Sequence, residues 1–390
     1  MGELIALLVA IPLLTATAVM LFEVSLGAEP AREREDPRNE DQSSVAVVIP
    51  AHDEELSIGA TLARLLEEEE DGPRRFVVVA DNCSDATAEI ARAAGVEVIE
   101  RVDDTRRGKG YALAFARSHL LANAPDCVIV LDADTVPAHG ALARLTALSI
   151  HADRPVQAAY TIEASSEATP LTRFSAIAFY VKNVVRQLGI SRAGAPAILT
   201  GSGMAFPWRI FAALPLETGH VTEDLMLGVS CSLAGDPPMF LPSARVHGQS
   251  SSDGGTGIQR RRWESGFFAT AKAYVPRLIG TGIVKAQPGL IWLALHLATP
   301  PLLLLLALDL LMLAGLGLAA PFIGLTVALI LLSCLTGGLV IALFVATTRH
   351  GKRLSLSDLG SVPGYVVWKL ALSARALLKR ETKWIRTSRE

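Results

Sequence analysis

Between Gly289 and Thr348 the chain runs for about 60 residues with a single formal charge, Asp309. At ~1.5 Å per residue that is ~90 Å of helix, enough to cross a ~30 Å hydrocarbon core twice, or three times with no room for turns. A second uncharged run, Leu4 to Phe22, is close to the ~20 residues one crossing needs. It reads as an uncleaved anchor: Met1-Gly2-Glu3 lacks the positive charge of a secretory leader, and the run is long for a leader's apolar core.

Loop charge decides how often the long block crosses. Arg32, Arg34 and Arg38 follow the first run, Lys272, Arg277 and Lys285 precede the block, and Arg349, Lys352 and Arg353 follow it. With all three clusters on the cytoplasmic side the block crosses twice. The uncharged link Gly315 to Pro321 is then the outer turn, and Pro300-Pro301 kinks the first member of the pair. Beyond it, Val362 to Leu378 carries Lys369 and Arg375 and leads into a basic tail with Lys379, Arg380, Lys383, Arg386 and Arg389. This reads as a helix lying in the interface, with Tyr365, Trp368 and Trp384 at headgroup depth; a fourth span is the alternative.

The middle of the chain is different. With 51% hydrophobic and 19% charged residues overall, the sequence is too apolar for an ordinary soluble enzyme, so its charge concentrates between about Ser43 and Ala273. That stretch is long enough for one α/β domain. The net charge of −3 supplies no basic field for nucleic acid, and Cys83, Cys127, Cys231 and Cys334 stand apart without metal-ligand spacing. The organisation expected is an anchor at 1–24, a linker at 25–44, a soluble domain at 45–273, an interfacial segment at 274–288, a membrane hairpin at 289–348, and an interfacial helix with its tail at 349–390.

Within the soluble domain, Val45 to Ile49, Phe76 to Val79, Val96 to Ile99 and Cys127 to Leu131 are short β-branched runs suited to a sheet buried on both faces. Ser57 to Glu69, Ser84 to Ala94 (with Ser84 as N-cap) and Lys109 to Asn123 have helical spacing. The alternation predicts a doubly wound, mostly parallel α/β sheet with ligands beyond the carboxyl ends of its strands. Acidic residues stand at those ends: His52-Asp53-Glu54-Glu55, Asp81 and Asp132-Ala-Asp134. Turn formers would look similar at any one of these sites.

Asp132 and Asp134 can present hard oxygen ligands to Mn²⁺ or Mg²⁺ and leave positions open for phosphate oxygens. Arg106-Arg107-Gly108-Lys109-Gly110 places cations at a helix start, where phosphate or a sugar hydroxyl can meet them; a solvated basic turn is the alternative. Glu223 and Asp224 sit at the start of the helical run Leu225 to Ala234, where one carboxylate can take an acceptor proton or both can merely cap the helix. Gln259-Arg-Arg-Arg262-Trp263 joins guanidinium groups to an indole, and Gly254-Gly255-Thr256-Gly257 before it predicts a mobile flap.

In this order, Pro50-Ala-His-Asp-Glu-Glu55, Asp81, Gly108-Lys-Gly110, Asp132-Ala-Asp134, Gly201-Ser-Gly203, Thr222-Glu-Asp224 and the Q-x-x-R-W at 259–263 resemble the family 2 glycosyltransferases, in particular the membrane-bound branch of cellulose, chitin and hyaluronan synthases and ceramide-type glucosyltransferases. The resemblance implies a GT-A fold and an inverting transfer from a nucleotide-diphosphate donor, a UDP-sugar first. It implies Pro50, His52, Glu54 and Asp81 beside base and ribose, Lys109 with the donor, and Asp132 with Asp134 at diphosphate and metal. Asp224 would be the general base, Glu223, Gln259, Arg262 and Trp263 would serve acceptor and diphosphate, and Gly201 to Gly203 would line the acceptor side. Asp53 stands where the family usually has Asn. Too few spans for a polymer channel favour transfer to a lipid-embedded or lipid-linked acceptor, in glycolipid or exopolysaccharide assembly at a bacterial inner membrane. A processive synthase is the near alternative, and a glycan-binding scaffold without turnover the distant one.

Overall fold

The computed structural model describes residues 2–31, 43–67, 74–162, 169–248, 253–324 and 326–352, with residues 360 and 364. The expected interfacial helix at Val362 to Leu378 and the basic tail lie outside the described residues. The chain divides into two compact units: Met1–Pro30, Ala164–Ala195 and Asp253–Glu381 form one, and Ala31–Glu163, Pro196–Ser252 and Thr382–Glu390 the other.

The second unit holds one eight-stranded sheet. Its strands are β1 (Val45–Ala51), β2 (Arg74–Asp81), β3 (Glu97–Arg101), β4 (Cys127–Val130), β5 (Thr135–Pro137), β6 (Val156–Ile162), β7 (Met204–Pro207) and β8 (Met239–Gly248), in the order β3-β2-β1-β4-β7-β6-β8-β5. The first four are mutually parallel, as the β-branched runs predict, and β7 enters antiparallel beside β4. Val45 to Ile49 and Val77 to Val79 are buried throughout, which requires cover on both faces and explains why these strands read as unbroken apolar runs. The helix Lys109–Leu120 contributes Ala112, Leu113 and Ala116 to one core, against Val48, Val79, Val130 and Phe206. The chain runs outward from β1 to β3 and returns on the other side as β4, so the strand order reverses between the parallel β1 and β4, the point where such a sheet is expected to open a crevice at its carboxyl ends.

Ser84 does not cap a helix. The helix Thr87–Ala93 has Ala86 at its N-cap, and the Ser84 backbone N–H donates instead to Asp53 Oδ1 (2.6 Å), tying the loop after β2 to the loop after β1. Asp53 has φ 52°, a left-handed conformation that Asn and Asp tolerate best, so carboxylate for amide keeps this turn.

Among the described residues of the first unit, three helices are long and apolar enough to cross a membrane: Gly2–Gly27, Leu302–Ile323 and Val327–Arg349. Gly315 to Pro321 do not form the turn of the C-terminal pair but lie inside its first helix, Leu302–Ile323, and the second begins at Val327. Pro321 is accommodated in the last turn of its helix, and Gly324, at φ 83°, supplies the break. Pro300-Pro301 ends the short helix Pro288–Ala298 and caps the next one instead of kinking a continuous span. Gly254 to Gly257 lie in the long helix Asp253–Val284, not in a loop.

The chain between β6 and β7 also enters this unit, as helix Pro170–Tyr180, a π turn over Val181–Val185 and helix Arg186–Arg192. Val181 and Val185 pack with Met20, Val24, Leu305 and Leu339. Backbones meet closely here: a Cβ on Gly27 would lie 1.8 Å from the Val185 carbonyl oxygen, and one on Gly189 2.0 Å from that of Glu23. Small residues permit this approach, the usual basis of helix association where lipid removes the hydrophobic drive. Buried polar groups add specificity. Thr17 and Thr336 donate to Asp309 (2.9 and 3.1 Å), and Arg186 donates to Glu23 Oε2 (2.7 Å) with His296 Nδ1 2.9 Å from Glu23 Oε1.

Candidate active site

The crevice is built by loops that follow buried strands. After β1, His52 Nδ1–H donates to the Asp81 carbonyl (2.6 Å) at the end of β2, and Ser57 Oγ donates to Glu54 Oε2 (2.8 Å). Asp81 is nearly buried. Its Oδ1 accepts from Arg101 Nη1 (2.6 Å) and Asn82 Nδ2 (2.9 Å). Burial pushes this carboxyl above its ordinary range, and Arg101 pulls it back only in part. Arg101 is fixed in turn by Asp103, the Arg106 carbonyl and the face of Tyr111, with its guanidinium carbon 5.6 Å from the ring centre. Sequence alone offers no reason to single out Arg101, because it ends a partly exposed, charged strand as many surface arginines do.

After β4 come Asp132 and Asp134. Lys109, first residue of its helix, donates from Nζ to Asp132 Oδ1 and to the Gly201 carbonyl (2.6 Å). Desolvation would lower the Lys109 ammonium, but Asp132, Glu223 and Asp224 outweigh it and hold the group raised. Glu223 and Asp224 open the helix Glu223–Ala234, and Thr222, at its N-cap, makes no side-chain cap bond. Burial first, then the neighbouring Asp224 charge, push Glu223 up to about 8. A Cβ built on Gly201 would stand 3.3 Å from Asp224 Oδ2, 3.8 Å from Asp132 Oδ2 and 3.8 Å from Lys109 Nζ. Three charged side chains predicted from distant parts of the sequence therefore face one point where this chain has no side chain.

The loop carrying Gly201 is held from below. Gln157, fully buried on β6, accepts from the Thr200 N–H (2.9 Å) and donates to the Ser202 carbonyl (2.9 Å), while Ser202 Oγ accepts from the Asp132 N–H (3.0 Å). Gln157 was not separable by sequence from an ordinary strand residue, and Ser202, inside the Gly201-Ser-Gly203 motif, was expected to line the acceptor side and not to hold the Asp132 backbone.

Carboxylate oxygens are hard ligands of the kind a divalent cation takes: Asp132, just past β4, has Oδ2 3.8 Å from where a Cβ on Gly201 would stand, and Asp134 immediately precedes β5. Gln259 and Arg262 lie on the helix Asp253–Val284, with side chains outside the described residues. Trp263, on the same helix, packs against Phe179, ring centres 6.0 Å apart.

Residues 42–266 match the family described as glycosyltransferase like family 2. Among curated proteins, an uncharacterized protein of Methanocaldococcus jannaschii is 40% identical over 93 residues, 24% of this chain and 36% of its own. A 4,4'-diaponeurosporenoate glycosyltransferase of Staphylococcus aureus is 35% identical over 78 residues, 20% of either chain. The matched stretches thus span about a third or less of these relatives. Among solved structures, a mannosyltransferase from Pyrobaculum calidifontis, in complex with GDP-Man and Mn²⁺, has a TM-score of 0.55 at 20% identity and covers 94% of this chain and 100% of its own.

Proposed function

The chain belongs to glycosyltransferase like family 2, and from that premise we propose that this enzyme moves a sugar from a nucleotide diphosphate to a lipid-embedded or lipid-linked acceptor, inverting the anomeric centre. The observation that carries this reading is the convergence of Asp132, Lys109 and Asp224 on Gly201. It supports reading these three as the diphosphate-binding and proton-accepting groups of one reacting centre.

In the proposed reaction the acceptor hydroxyl attacks the anomeric carbon as Asp224 takes its proton. The new glycosidic C–O bond forms while the bond from that carbon to the diphosphate oxygen breaks, and the electron pair leaves with the nucleoside diphosphate. Glu223, held neutral by its surroundings, can donate a hydrogen bond on the acceptor side. Pro50, His52, Glu54 and Asp81 are assigned to base and ribose. Gln259, Arg262 and Trp263 are assigned to diphosphate and acceptor. Asp132 and Asp134 would hold Mn²⁺ or Mg²⁺, which when bound supplies charge neutralisation to the leaving diphosphate. The Pyrobaculum neighbour's Mn²⁺ is consistent with a divalent ion.

Three candidate spans among the described residues support a lipid-borne acceptor over a polymer channel, and so the ceramide-glucosyltransferase side of the membrane branch over the synthase side. Lys272, Arg277 and Lys285 before the apolar block and Arg349 and Lys352 after it support a cytoplasmic catalytic domain. The catalytic domain at 45–273 remains part of this proposal, although Ala164–Ala195 and the chain from Asp253 group with the apolar helices. The test is nucleoside diphosphate release by detergent-purified protein, with UDP- and GDP-sugars, added membrane lipid, and Mn²⁺, Mg²⁺ or neither, beside Asp224→Asn. Turnover of one donor only with metal, lost in the variant, is expected. Polymer formed by monomeric enzyme from donor alone would overturn the acceptor assignment, and silence on every donor would overturn the reaction.

A further inference from the structure

Lys109 occupies the carboxylate that the proposed metal needs. Its Nζ donates to Asp132 Oδ1 and is held on the other side by the Gly201 carbonyl at 2.6 Å. We propose that Lys109 is the resident counter-ion of Asp132 in the ligand-free enzyme, that a divalent cation must displace it, and that the donor's diphosphate receives the displaced ammonium. The inference rests on the functional reading above and adds an order to it: cation and diphosphate load as one unit, because neither alone satisfies both Lys109 and Asp132.

The surroundings favour an exchange over a static pair. A divalent ion and an ammonium repel in a half-buried cleft, so sharing Asp132 is costly. The Lys109 backbone has little freedom to retreat. A Cβ on Gly110 would lie 2.5 Å from the Leu216 carbonyl oxygen and 2.6 Å from that of Thr218, so the helix start is clamped against this segment. The ammonium moves by rotation of its own four-carbon stem. Lys109 also opens its helix, where unpaired backbone N–H groups favour an anion. An ammonium leaving Asp132 is therefore already beside the place a diphosphate would take. Binding that relieves such a competition is reciprocal: whatever removes Lys109 from Asp132 tightens the cation, and the cation tightens whatever receives Lys109.

The test is Mn²⁺ binding followed by the paramagnetic resonance signal of the free ion, in full-length detergent-purified protein without nucleotide. Lys109→Met should bind Mn²⁺ about tenfold more tightly than the wild type, and Lys109→Arg should not. Lys109→Gln provides the same comparison should the methionine variant fail to fold, with thermal unfolding reporting integrity. UDP or GDP should tighten Mn²⁺ in the wild type by a larger factor than in Lys109→Met, since only the direct metal–phosphate contact remains there. Unchanged or weaker Mn²⁺ binding in folded Lys109→Met or Lys109→Gln, with donor turnover intact in the wild type, overturns the counter-ion role and leaves the proposed reaction standing. No Mn²⁺ binding in any variant, with UDP or GDP present, overturns the counter-ion role together with the metal.

Discussion

Gly201 and Asp224 approach so closely that a methyl group at residue 201 would come within 3.3 Å of Asp224 Oδ2. The residue also has φ 94°, a backbone conformation that costs a non-glycine residue about 1–3 kcal/mol. Gly201→Ala should therefore lose stability by that amount and lose turnover on the order of 10²-fold, because the methyl group displaces a carboxylate that must be placed to within an ångström. Thermal unfolding and nucleoside diphosphate release measure the two effects. A variant of near wild-type turnover would show that the reacting centre lies elsewhere.

Gln157 is the hidden support of the same loop. Replacing it with Leu preserves volume but leaves the Thr200 N–H and the Ser202 carbonyl without their buried partner, which costs about 1–3 kcal/mol. Since Ser202 also holds the Asp132 backbone, the expected kinetic signature is a lower kcat with a raised donor KM. Asparagine, too short to span both groups, should not rescue it.

How far the sequence carried can be read from these residues. Asp132, Lys109 and Asp224 were legible because they follow apolar strands or open helices, positions where charge is conspicuous, and their order matched a family. Gln157 and Arg101 were not, since each acts through a tertiary partner that spacing does not encode. The parallel strands β1 to β4 were legible as buried β-branched runs. The turn of the C-terminal hairpin was not: over a run with one charge, hydropathy is flat, and the choice between Pro321 and Gly324 rests on which backbone conformation a helix end needs. The π turn at Val181–Val185 left no mark in an apolar period that one inserted residue barely shifts.

Glu223 makes stability depend on pH. Its carboxyl is raised in the folded protein, so between its ordinary value of 4.5 and about 8 the folded state holds a proton that the unfolded chain has released. Stability then falls as pH rises through that window and levels off above it. In metal-free protein the thermal midpoint should decline from pH 5 to pH 8, and Glu223→Gln should flatten the decline. Asp224→Asn should flatten it in part, because the Asp224 charge is the second cause of the shift and burial the first. A Glu223→Gln profile parallel to the wild type would assign the decline to other groups.

Glu23 and Arg186 test how the helices of the first unit are specified. Both are buried, joined at 2.6 Å, and drawn from segments about 160 residues apart. Neither can be solvated where it stands, so removing one partner strands the other: Arg186→Met alone should cost about 3–5 kcal/mol. Replacing both by Met removes two desolvation penalties with the attraction, and the double variant should recover most of that loss. The Glu23–His296 contact makes the recovery incomplete when only Arg186 and Glu23 are changed, since His296 then loses its acceptor. Unfolding midpoints of the two single variants and the double, in one detergent, give the coupling directly. Additive losses would mean that the pair is screened by water and contributes no coupling to the packing of these helices.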